Sequence, residues 1–109
     1  MVLKENIYKT KSYEVSFTFF ISLGENKSEY QQSIIIKDKA LDLLDKITEI
    51  DNYDVYKDDE DWCINCIAEV KADTIKNVDK ELNRLLRPIN LPWDYHYIKG
   101  IDTKEFWQP

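Results

Sequence analysis

Glycine, proline, cysteine, histidine and methionine are all scarce in this chain: two, three, two, one and one respectively in 109 residues. Each scarcity closes off a class of chemistry. With only Gly24 and Gly100, there is no glycine-rich loop to cradle a phosphate. Two cysteines and one histidine fall short of a four-ligand structural zinc site unless carboxylates complete it. Basic residues are also in deficit, and the net charge of -6 argues against nucleic acid or an anionic membrane as a partner, because both demand basic surface. The most apolar run, FTFFISL, is far too short to span a bilayer. No apolar stretch of signal-peptide length opens MVLKENIYKTKSY, so the expectation is a reduced, cytoplasmic protein.

What remains is ample for folding. Hydrophobic residues make up 43% of the chain, with three Trp, seven Tyr and four Phe, enough apolar surface to offset chain entropy in one packed domain. Residues 1–109 read as a single α+β domain, with 1–11 and 101–109 as terminal extensions.

SYEVSFTFFISL alternates with period two: Tyr13, Val15, Phe17, Phe19 and Ile21 on one face, Glu14, Ser16 and Thr18 on the other. That is a strand. GENKSEY reads as a polar loop and the β-branched QQSIIIK as a second strand. Asp38 is placed to cap a helix running to about Ile50. DNYDVYK is a short strand, acids 58–61 a turn, and WCINCIAEVKA a longer strand. A second helix begins near Asp73 and stops before Pro88; WDYHYIK is a final strand. The expected order is ββαββαβ, a mostly antiparallel sheet with both helices on one face. If the first two strands are one bent element, the order reduces to a ferredoxin-like split βαβ.

Cys63 and Cys66 have CxxC spacing, but three residues apart on a strand puts their side chains on opposite faces. The pattern is read as coincidental, with no cofactor and no metal expected. His96 shares a strand face with Asp94 and Ile98, and no nucleophile can be placed beside it. Glu69, in mid-strand, reads as a solvated carboxylate. The chain is therefore expected not to be an enzyme, with no catalytic residues assigned.

The acids carry the strongest signal. Residues 38–61 hold ten acids against three lysines, a local balance of -7 that leaves the other 85 residues at +1. On a helix, Asp38, Asp42, Asp45 and Glu49 point at about 0°, 40°, 340° and 20°, one row about 16 Å long. Like charges at this spacing cost an isolated helix a few tenths of a kcal/mol each, so intrinsic helix stability does not call for the row. Asp58, Asp59, Glu60 and Asp61 add a second cluster, with Trp62 as an aromatic anchor at its edge. The expectation is a small non-enzymatic protein that binds and inhibits a basic protein partner, such as a nuclease or nucleic-acid-binding protein. Immunity proteins, antitoxins, nuclease inhibitors and phage-encoded blockers of defence are of this type. The plain alternative is a solvated helix face and a soluble turn. Two others are a small-ligand domain or enzyme built on Trp93, Tyr95, His96 and Tyr97, and a homodimer joined through strand 13–23 with Phe20 outward.

Overall fold

The computed structural model describes residues 10–109; most of the expected N-terminal extension lies outside them. Five strands and two helices are described along the chain. They are β1 (Lys11–Ser22), α1 (Lys27–Leu44), β2 (Ile50–Lys57), β3 (Asp61–Ala72), α2 (Val78–Leu86), β4 (Trp93–Gly100) and β5 (Phe106–Trp107). A single 3₁₀ turn, Ile75–Asn77, leads into α2. The strands form one antiparallel sheet in the order β2-β3-β1-β4-β5. The class is α+β.

Period-two alternation decides which side of the sheet is covered. Tyr13, Val15, Phe17, Phe19 and Ile21 of β1 face the same way as Ile64, Cys66, Ala68 and Val70 of β3, and all are buried. Ala40 and Leu44 of α1 and Val78, Leu82 and Leu86 of α2 close over them in one core. Both helices lie on this face. Among the described residues the opposite face carries no helix and is lined by Glu14, Ser16, Thr18, Phe20 and Ser22 of β1, with Glu69, Ile67, Asn65, Cys63 and Asp61 opposite them on β3.

The expected ββαββαβ order is not the one that forms. QQSIIIK is not a strand but the middle of α1, an eighteen-residue helix. Local capping overrides the β-branched isoleucines, whose strand preference is a weak prior. Asn26 Oδ1 accepts the Glu29 N–H at 2.9 Å, and Glu29 Oε1 accepts the Glu25 N–H at 2.7 Å. This pairing resembles a capping box and satisfies two donors where the helix starts. Gly24 makes the turn before it at φ 80°, a conformation that glycine adopts without penalty. Merging of the first two strands into one bent element, on which the ferredoxin-like alternative rested, therefore does not occur.

The helix expected to end near Ile50 stops instead at Leu44. The Lys46 and Ile47 N–H groups bond the Leu43 and Leu44 carbonyls, winding the chain off in tight turns before β2. β2, β3 and β4 follow expectation closely, but α2 begins only at Val78 with Asn77 as its N-cap, and the expected C-terminal extension contributes β5 to the sheet edge. Asp73, expected as a cap, stabilises the loop before α2: its Oδ1 accepts from the Thr74 N–H and the Asn77 side-chain amide.

Candidate functional site

The acids expected to form one docking surface fall in two regions. At one end of the molecule the β2–β3 turn holds Asp58, Asp59, Glu60 and Asp61. Asp58 is structural as well as charged. Its Oδ1 accepts the Glu60 and Asp61 N–H groups at 2.8 and 2.7 Å, and these bonds lower its carboxyl below the usual range. The Leu23 N–H donates to the Glu60 carbonyl at 3.0 Å, tying this turn to the start of α1. Glu25 and Glu29, both exposed, therefore join the same tip. Their charge was legible in the sequence, but reading GENKSEY as a loop between two strands left them unassigned. The cap pattern Asn-x-x-Glu at 26–29 was the available signal.

The other acids lie along and beyond α1. The shortened helix leaves only Asp38 and Asp42 within it, on its outer side. Asp45 is the C-cap, exposed, and accepts the Tyr53 hydroxyl at 2.6 Å; that bond raises the tyrosine's pKa. Glu49 has left the row. It is half-buried beside Asp51, Glu69, Lys71, Glu81 and Arg84, around a depression of about 320 Å³. The i, i+4, i+7, i+11 row therefore loses its last member, because the constant rotation per residue stops where the helix stops. The helix end and the tip stand at opposite ends of the eight-residue β2, about 23 Å apart at strand rise.

Neutralisation is slight. Among the described residues, only Asp38 of the ten acids in 38–61 has an ion pair, with Lys37 Nζ at 3.2 Å.

Trp62 does not stand free at the edge of the acids. It lies on the helix-bearing side of β3, where its Nε1 donates to Ser33 Oγ at 3.0 Å. Its ring stacks with Tyr30 at 6.3 Å, and Lys37 Nζ sits 4.5 Å from its centroid. Trp62 is a clasp between β3 and the N-terminal half of α1.

The C-terminal aromatics are divided between the two faces of the sheet. Tyr97 opposes Ser16 and Tyr95 opposes Phe17, so His96 is an extra residue in β4. Such a bulge turns two successive side chains the same way. Trp93 and Tyr95 pack toward the helices: the Tyr95 ring is 4.8 Å from Trp93, and its hydroxyl donates to Asp79 Oδ1 at 2.8 Å. His96 and Tyr97 reach the open face, where Tyr97 stacks on Phe106 and donates to Glu14 Oε2. Ile98 is buried, so the expected Asp94, His96, Ile98 face does not form.

His96 Nε2 instead lies 2.5 Å from Thr18 Oγ1, which is also 2.5 Å from Asn65 Oδ1. Thr18 has one proton to donate, so one neighbour accepts and the other donates. Thr18 is only 2% exposed, and its hydroxyl is held in this network. A shallow depression of about 280 Å³ adjoins it, lined by Ser16, Asn52, Asp54, Asn65 and His96 among others.

Cys63 opposes Phe20 on the open face and Cys66 opposes Phe17 in the core, the opposite-face placement that strand spacing demands. Burial raises both thiols, Cys66 to about 12. No group of three or more His, Cys, Asp or Glu side chains suited to a metal occurs among the described residues, and no described helix is long and apolar enough to cross a membrane. Compared with known protein families, with curated proteins and with solved structures, the chain finds no match.

Proposed function

We propose that this protein acts by binding rather than by catalysis, docking through its acidic surface on a basic protein partner and inhibiting it. One observation carries the reading: of ten acids in residues 38–61, Asp38 alone is ion-paired among the described residues. The exposed carboxylates of Asp42, Asp45, Asp59 and Glu60 form a field that steers a positively charged surface, accelerating encounter at low salt. A nuclease or another nucleic-acid-binding protein presents such a surface, and covering it is inhibition in its simplest form.

Asp58 must be spared in testing this, because it holds the turn. Replacing Asp42, Asp45, Asp59 and Glu60 with their amides leaves those hydrogen bonds in place. Affinity capture from the native cell, eluted by rising salt, identifies the partner. The expected result is a basic protein retained by the natural chain and released between low and moderate salt, with little retained by the amide variant. Equal retention by both would rule the acidic surface out.

A further inference from the structure

A strand in an antiparallel sheet bonds each neighbour through alternate residues. In the β2–β3 hairpin the Asp58 N–H donates to the Asp61 carbonyl at 3.0 Å. The register then pairs Tyr56 with Cys63, Asp54 with Asn65 and Asn52 with Ile67. Counting back from Asp58, these even-numbered residues bond β3, and Tyr53, Val55 and Lys57 turn their N–H and C=O groups to the outer edge. No other described element pairs with that edge, because β2 is the terminal strand of the sheet. The usual protection of such an edge is slight here. β2 has no proline, and its one irregularity lies at the Ile50/Asn52 end. Its single lysine is drawn to the helix-bearing side, where Lys57 Nζ lies 3.4 Å from the Tyr30 hydroxyl.

We infer that the basic partner adds a strand here: an extended segment alternating basic and apolar side chains pairs with the outer edge of β2. The inference rests on the docking reading above and specifies what docks. Main-chain bonds to Tyr53, Val55 and Lys57 would hold the segment, and side chains would select it. Charge decides the occupant. Residues 50–61 hold six acids against Lys57 alone, and none of the six has an ion pair among the described residues. A second copy would set these acids against their own kind, and like charges opposed across strands are destabilising. A basic segment meets the reverse situation, and along β2 it would run from the acidic end of α1 to the 58–61 tip. Alternation follows from the two faces. Asp54 lies on the open face opposite Asn65, and suits a cation. Tyr53 and Val55 lie on the helix-bearing side, half-buried at the margin of the core, and suit apolar cover.

Amide NMR and hydrogen exchange on the full chain test this with synthetic peptides of β2's own length. The probes are an alternating Lys/Val peptide, the same peptide N-methylated at every peptide bond, an alternating Glu/Val peptide, and oligolysine. The expected result is that Lys/Val binds at least tenfold more tightly than the other three. It should slow exchange of the Tyr53, Val55 and Lys57 amides and leave those of Asn52, Asp54 and Tyr56, already bonded to β3, little changed. Val55→Pro removes an outward donor while sparing the ladder to β3, and should abolish binding. Asp54→Lys, at an exposed position, should leave the chain folded and weaken binding at least tenfold.

The other outcomes overturn the inference in separable ways. If oligolysine or the N-methylated peptide binds as tightly as Lys/Val, strand addition is excluded while acidic docking stands. If Glu/Val binds as tightly, the edge pairs without regard to charge and a basic occupant is excluded. If the chain alone associates as its concentration rises and protects the same three amides, the occupant is a second copy. If no peptide binds, the edge is excluded, and capture of a basic protein by the acidic surface still decides the docking reading on its own.

Discussion

Gly24 shows how much one residue can decide. A Cβ built there would collide with Glu29 Cβ, at a φ of 80°. Gly24→Ala therefore combines left-handed backbone strain with a collision against the residue that completes the α1 cap. The expected loss is about 1–2 kcal/mol from the backbone alone, read as a lower urea midpoint; an unchanged midpoint would contradict this account of the turn. The cysteines make a second prediction at this scale. Both are buried and both thiols are raised above their ordinary pKa, so a thiol reagent should label neither in the folded chain and both in urea. Rapid native labelling of either would contradict its burial. Their opposite placement was legible from strand alternation alone. The His96 contact with Thr18 was not, because a bulge shifts the alternation by one residue and leaves no mark in composition.

At the scale of elements, α1 separates what the sequence discloses from what it conceals. Alternation identified β1 and β3, and Pro88 marked where α2 has to stop. Three consecutive isoleucines fit either period when read alone. The cap at residues 26–29 resolved them toward helix, and the acid row shortened accordingly. Substitutions distinguish the two readings. Leu44 is buried in the core, so Leu44→Ala should cost about 2–5 kcal/mol, whereas Ile35→Ser on the outer side should cost far less. Comparable losses from both would mean that α1 does not present the face described. The β2–β3 turn behaves as an element too. Asp58→Ala should lower the unfolding temperature through the loss of two N–H acceptors, while Asp59→Ala should leave it nearly unchanged.

For the whole molecule, ionisation bounds the range of stability on both sides. Hydrogen bonds lower the carboxyls of Asp58, Asp73 and Glu105: from the Glu60 and Asp61 N–H groups, chiefly from the Asn77 amide, and chiefly from the Tyr13 hydroxyl, respectively. Their contribution is complete above the unfolded carboxylate values near 4 and is lost as pH falls through the folded ones. Burial raises Tyr13 to about 12 and also raises Tyr95, while the bond to Glu14 raises Tyr97. That contribution is complete below the unfolded tyrosine value near 10 and is lost as pH rises through the folded values. Unfolding followed by circular dichroism should therefore show these acid losses below about pH 4 and the alkaline losses, with tyrosinate absorbance, above about pH 10. Retention of full stability at pH 12 would contradict the tyrosine placements.

Oligomerisation is also a property of the whole chain. β1 lies between β3 and β4 with both edges used, so it cannot join a second copy by strand addition, and the sheet's edges are β2 and β5. Binding of a basic partner remains the central proposal, and its kinetics test it most directly. The association rate of the captured basic protein should be measured against ionic strength for the natural chain and for the variant with Asp42, Asp45, Asp59 and Glu60 changed to amides. The expected result is a rate that falls steeply with salt for the natural chain and is already slow, and nearly salt-independent, for the variant. Identical rates for the two proteins at low salt would contradict it.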